Sequence, residues 1–273
     1  MSRSPDEVLL AIDTATAAVA VAVVRDSAVL AQTAVHDALR HAEVLAPAIE
    51  AVVQQSGLAF SALSGIVVGT GPGPFTGLRV GVVTATTLGY ALGVPVHGVC
   101  SLDALAESYA AAGRAASSTP AEAASRDDAP VDDAPEFVVA TDARRKEVYW
   151  ASYRLDADGL PVRLEGPAVD KPAHLPDRLR RLPVVGRGGQ LYAEVFGPPV
   201  GPAEVAAASL AALARRRLAA GESLPVTPLY LRRPDVREPS APKTTLLPAA
   251  RRARGRGTSA RAALAGDPPT ESR

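Results

Sequence analysis

Apolar positions in the first hundred residues fall into short β-branched runs, separated by longer stretches with helical spacing. Val8 to Ile12, Val19 to Val24 and Val29 to Val35 are three such runs, joined by polar turns at Asp13–Thr16 and Arg25–Ser27. They predict a three-stranded meander. Residues 40–56 place Leu45, Ile49 and Val52 on one face, flanked by Ala42, Ala46 and Ala48, which predicts a helix ended by Gly57. Pro47 is expected to bend that helix or to lie in its first turns. Gly65 to Gly69 reads as a buried strand. A second helix is predicted over 76–92, with Thr76 as N-cap, Leu78, Val82, Val83 and Leu92 on its apolar side and Arg79 on its wet side. A strand at Val94 to Val99 and a helix from Ser101 to about Ala112, with Ser101 as its N-cap, complete this part.

The second helix has an unusual row. Gly77, Gly81, Ala85 and Gly89 follow one another at intervals of four, all on one ridge. Interior glycines such as Gly81 and Gly89 each cost about 1 kcal/mol relative to alanine. Close approach of another backbone would offset that cost, and the local pattern leaves two occupants open: a helix of a second subunit, or this chain's own sheet or neighbouring helix. The loop before it, GTGPGPFTG, does not read as a phosphate cradle. Pro72 and Pro74 remove two backbone donors, and no Gly-Lys-Ser/Thr sequence follows.

Residues 113–135 are small, acidic and proline-rich, and predict a disordered insert. Beyond it, Glu136 to Ala140, a polar turn at 141–147 and Val148 to Tyr153 repeat the opening hairpin, with Asp142 in the place of Asp13. After a strand at 182–186, one clear helix remains, from Ala203 to Ala220. The order strands, helix, strand, helix, strand, helix is that of the ribonuclease H-like half of actin-like (ASKHA) ATPases. The fold expected is therefore α/β, with two lobes of which the second is truncated. Residues 1–103 form the first lobe, 104–231 the second, and 232–273 a disordered tail bearing Arg251, Arg252, Arg254, Arg256 and Arg261.

Composition narrows the chemistry. With 29 basic and 29 acidic residues, the net charge gives no reason to expect a nucleic-acid or membrane surface. Cys100 follows an apolar run and reads as a packed thiol. The histidines are His36, His41, His97 and His174, none at chelating spacing from His41, so no metal site of the chain's own is expected. No Ser-His-Asp or Cys-His constellation can be assembled. No signal peptide or membrane span is visible, and a cytoplasmic location is expected.

LLAIDTAT at 9–16, HAEVLAPAI at 41–49, VVGTGPGPFTGLRVG at 67–81, VPVHGVCSLDALA at 94–106 and DARRKEVYWASY at 142–153 together resemble the TsaB (YeaZ) family. The resemblance runs from residue 8 to about 232. It implies a non-catalytic dimerization subunit in the synthesis of tRNA threonylcarbamoyladenosine, paired with the metal-binding transferase TsaD and joined by the ATPase TsaE. It further implies a homodimer when the chain is alone, tRNA reached through the complex, and ATP, Mg and the partner's metal belonging to the complex, with no cofactor of the chain's own. The implied subunit interface is His41, Leu45, Ile49 and Val52 of the first helix with Gly77, Gly81, Ala85 and Gly89 of the second. The family's metal-binding paralogue has two histidines four apart on the first helix, where this chain has His41 and Leu45. Asp13, Thr14 and Asp142 correspond to a vestigial nucleotide site, or else brace their own turns. Gly186–Gly189 is the one other stretch that could approach a nucleotide. An independent actin-like kinase or hydrolase and a metallopeptidase-like hydrolase are the alternatives.

Overall fold

Strand β1 (Val8–Asp13) has both faces buried, and the two faces belong to different cores. The computed structural model describes residues 7–36, 40–116 and 135–232. In it, β1 pairs antiparallel with β2 (Ala18–Arg25), which pairs antiparallel with β3 (Ala28–His36). On its other side β1 runs parallel to β4 (Gly65–Gly69), and β4 parallel to β5 (Val96–Val99). The first sheet is thus ordered β3-β2-β1-β4-β5. A second sheet, ordered β8-β7-β6-β9, repeats this arrangement, without a fifth strand among the described residues. It comprises β6 (Glu136–Asp142), β7 (Val148–Leu155), β8 (Pro161–Asp170) and β9 (Val184–Val185). This is the α/β ribonuclease H-like duplication with a truncated second half.

Strand alternation assigns the layers. Leu10, Ile12, Val19, Val21, Val23, Ile66 and Val68 face α1 (His41–Gln55) and α2 (Phe75–Leu92), whose inner residues Leu45, Ile49, Val52, Leu78 and Val82 complete that core. The opposite face carries smaller residues, Ala11, Ala20 and Ala22, which leave room for α7 (Ala207–Ala219) to lie close. Between the sheets, α7 packs on the first and α3 (Ser101–Ala116) on the second. One apolar core therefore joins Leu9, Ala11 and Val67 to Phe137, Val139 and Ala151 through Leu105 and Leu210. The remaining face of the second sheet is covered by Leu175, by Leu179 of α4 (Asp177–Arg180) and by Phe196 of α6 (Ala193–Phe196), with the short α5 (Arg187–Leu191) alongside β6.

The middle layer is tied by charge as well. Asp103 and Glu107 on α3 are both buried. Asp103 meets Arg217 at 2.8 Å and Arg163 at 3.2 Å, and Glu107 meets Arg114 and Arg216 at 2.7 Å each. Tyr153 also donates its hydroxyl to Asp103 at 2.8 Å. Two acids shared among four arginines bind α3 to α7, β7 and β8, and removal of one arginine would leave a buried charge short of its partners.

Several boundaries differ from those expected. The N-cap position of α2 is Pro74, and Thr76 lies inside the first turn. Ser101 opens α3 and directs its hydroxyl to Asp13 instead of capping. Val83 is 55% exposed, because the apolar side of α2 centres on Leu78, Val82 and Ala85. Helix α3 continues to Ala116, through residues 113–116 of the expected insert. The boundary expected after residue 103 falls inside α3. Residues 117–134 of the insert, and the arginine tail from residue 233, lie outside the described residues.

The glycine row has an intramolecular occupant. A Cβ on Gly81 would sit 2.2 Å from Thr14 Oγ1, one on Gly77 2.8 Å from the Thr14 carbonyl oxygen, and one on Gly89 2.3 Å from Val96 Cγ2. The eight residues expected at a subunit interface, His41, Leu45, Ile49, Val52, Gly77, Gly81, Ala85 and Gly89, are all buried within this chain. They are the inward faces of α1 and α2. That expectation is corrected: the sheet, not a sister subunit, occupies the row.

Gly81→Ala is expected to destabilise the protein by about 1–3 kcal/mol, since the new methyl has no space beside Thr14. Gly113, also helical but with nothing within 4 Å of an added Cβ, is expected to gain up to about 1 kcal/mol as Ala. Urea unfolding of the two variants measures both, and opposite signs are the expected result.

Candidate functional site

Where β1 ends, the chain turns beneath the first turn of α2. Asp13 and Thr14 are fully buried there. Asp13 accepts the Ser101 hydroxyl at 2.6 Å and the Ala15 amide at 3.0 Å, and Thr14 donates its hydroxyl to the Gly77 carbonyl at 2.8 Å. Ser101 in turn accepts the Gly71 amide at 3.2 Å. A Cβ on Gly69 would meet Asp13 Oδ2 at 1.9 Å, so glycine is required for the Asp13–Ser101 pair to form. Burial pushes the Asp13 carboxyl up to about 6, against the opposing pull of its bonds to Ser101 and Ala15. Burial likewise pushes the Cys100 thiol up to about 12, so it remains a packed thiol at neutral pH.

In front of this turn, between the two sheets, lies a cavity of about 370 Å³. Residues from the β1–β2 turn, the first turns of α1 and α2, the end of β6, and Arg187 and Glu204 line it. His41 lines it too and donates from Nε2 to the Thr16 carbonyl at 3.0 Å, anchoring the start of α1 to the turn. Asp142 lines it as well, accepts the Arg144 amide at 2.7 Å, and pairs with the Arg144 guanidinium at 3.3 Å.

Of the three residues expected at a nucleotide site, only Asp142 reaches this cavity. Asp13 and Thr14 stand behind it, engaged in holding α2 and α3 to the strand end. Thr141, Arg144 and Glu204 line the cavity although the sequence did not single them out, and Arg187 had been noted only within its glycine-rich stretch. The Thr-Asp-Ala-Arg-Arg-Lys turn was the available signal: three consecutive non-glycine residues, Arg144, Arg145 and Lys146, hold positive φ of 60°, 54° and 60°.

A family model described as tRNA N6-adenosine threonylcarbamoyltransferase, TsaD, matches residues 28–185. The chain is 31% identical over 237 residues to the tRNA threonylcarbamoyladenosine biosynthesis protein TsaB of Escherichia coli, covering 82% of this chain and 94% of that protein. This chain belongs to the TsaB (YeaZ) family. An uncharacterized protein of Mycobacterium tuberculosis is 41% identical over 240 residues, covering 87% of this TsaB-family chain and 97% of the relative. A crystal structure from Pseudomonas aeruginosa, titled as an uncharacterized protein with similarity to peptidase YEAZ, superposes with TM-score 0.64 at 30% identity, over 83% of this chain and 100% of that one.

Asp13 sets a pH dependence. Its ordinary value is 3.8 and its folded value about 6, so between these the folded protein keeps a proton that the unfolded chain has released. The stability Asp13 contributes is greatest in acid and declines by about 3 kcal/mol as pH rises through this window. Asp13→Asn removes the titration. Urea unfolding at about pH 4 and about pH 7 should therefore show the variant gaining on the parent by roughly that amount.

Proposed function

We propose that this chain acts in the synthesis of threonylcarbamoyladenosine in tRNA as a non-catalytic subunit that holds the transferase. It pairs with a TsaD homologue, is joined by a TsaE homologue, reaches tRNA through that complex and forms a homodimer when alone. ATP, Mg and the partner's metal serve the complex. The TsaB name of the E. coli relative and the TsaD description of the matching model both support a place beside the transferase.

The observation that carries the reading is the outer face of α2. Tyr90 is 91% exposed and Val83 55% exposed, and Phe75, at the start of the same face, is partly exposed. The Phe75 ring packs against Tyr230 with centroids 5.1 Å apart, and the Arg79 guanidinium lies over it at 5.1 Å. Ala42, Ala46 and Pro47 on the outer side of the adjoining α1 are also exposed. Aromatic and arginine side chains bordered by small residues suit a helix-to-helix contact. These features support a partner surface on the side of α1 and α2 opposite the glycine row. The commitment of Asp13 and Thr14 to internal hydrogen bonds is consistent with a chain that positions chemistry done elsewhere.

Val83→Asp and Tyr90→Asp together are expected to abolish coelution with the TsaD homologue in size-exclusion chromatography, through the loss of contacts of about 2 kcal/mol or more. Circular dichroism should show the variant folded, because both side chains face solvent in this chain. An undiminished complex at micromolar concentration would refute the assignment of this face.

A further inference from the structure

Beyond α7 an irregular segment, Leu224 to Arg232, touches three separate elements. At its start the Leu224 carbonyl accepts the Gly98 amide of β5 at 2.9 Å, at the edge of the first sheet. Glycine is required at 98, since a Cβ there would lie 2.4 Å from the Pro225 carbonyl oxygen. Further along, the Leu229 amide donates to the Thr70 carbonyl at 2.8 Å, just after β4. At its end Arg232 donates to the Ala143 carbonyl at 2.7 Å and pairs with Glu147. Val226 packs against the core under α1 and α2, and Leu229 and Leu231 against the core between the sheets. Pro225 and Pro228 restrict the backbone between these anchors.

The turn that Arg232 holds is a strained one. Arg144, Arg145 and Lys146 have φ of 60°, 54° and 60°, left-handed backbone that residues with side chains keep only where their surroundings enforce it. Within the hairpin, Ala143 and Glu147 exchange turn hydrogen bonds, and the Asp142 carboxylate accepts the Arg144 amide. Arg232 adds a hold from outside, joining Ala143 to Glu147 across the base of the turn. Two residues earlier, Tyr230 faces the other way. It is 43% exposed, and its ring packs on Phe75, which opens the exposed face of α2. One side chain of the segment thus lies in that face while a near neighbour grips the turn.

We infer that residues 224–232 form a strap coupling the outer face of α2 to the β6–β7 turn. A partner seated on Phe75 also covers Tyr230 and restricts its ring. Because Leu229 is anchored and the strap is short, that restraint reaches Arg232 and tightens its hold on Ala143 and Glu147. Coupling is reciprocal, so loosening Arg232 weakens the partner's binding. The partner arm of this inference rests on the proposed pairing with a TsaD homologue; the strap itself belongs wholly to this chain.

Hydrogen exchange of the full chain, read by mass spectrometry, tests it. Addition of the TsaD homologue is expected to slow exchange of the amides of residues 143–147 by about fivefold or more. Arg232→Met, which keeps the alkyl stem, should speed their exchange in the free chain and abolish the slowing, with a complex that forms several-fold more weakly. Tyr230→Ala leaves the guanidinium in place and should still speed exchange of the same amides in the free chain by about fivefold or more. Unchanged exchange across β1 and α3 would show both variants folded. An unaltered turn in free Tyr230→Ala would overturn the strap whether or not a complex forms, and a complex that leaves the parent turn unaltered would overturn its coupling to the partner. Absence of any complex with the parent chain would instead refute the pairing, and the Tyr230→Ala result then decides the strap alone.

Discussion

Helix α2 can lie on the end of β1 only because Gly77 and Gly81 on its inner row carry no side chain. Thr14 occupies the space that a Cβ at Gly81 would need, and the Thr14 hydroxyl and carbonyl together face Gly77. Both sides of the contact are therefore specified: a helix without bulk, and a strand end whose threonine fills the groove. The same closeness lets Gly69 admit the Asp13–Ser101 hydrogen bond, which ties β1 to the first residue of α3. From one short segment the chain fixes the outer helices to the first sheet and the first sheet to the middle layer.

That economy also explains which parts could be read from residues alone. The strands of the first sheet were legible because their β-branched runs are bounded by turns, and the helices because their apolar residues recur at a single spacing. The occupant of the glycine row was not. A stripe without bulk records that something approaches closely, but it does not say whether that neighbour lies on the same chain. Leu45, Ile49 and Val52 carried the same ambiguity, since an inward face and an interface have the same composition.

The second half was less legible for other reasons. Strand β8 contains Gly166-Pro167, its pairing with β7 shifts register near Ser152, and much of it is exposed, so no alternation marks it. Helices α4, α5 and α6 have four, five and four residues, too few to show a period. The candidate cavity is harder still, because it collects residues from Thr16 to Glu204 that only the facing of two sheets brings together. The carboxylates visible in the hairpin repeat, Asp13 and Asp142, have diverged: the first is buried in structural hydrogen bonds, while the second remains at the cavity wall.

The divergence follows from the asymmetry between the sheets. In the first half, α1 and α2 cover the outer face, and seating α2 on the glycine row requires the strand-end polar groups to turn inward and satisfy one another. Among the described residues of the second half no long helix crosses the outer face; the short α4 and α6 serve there, and the β6–β7 turn has no such helix over it. Its polar groups are consequently left facing the space between the sheets. Closing one half so tightly also leaves the far side of α2 with Val83 and Tyr90 on the surface, since their positions on the helix are fixed by the row opposite. The sealed strand end, the open cavity and the exposed helix face are three results of one packing decision.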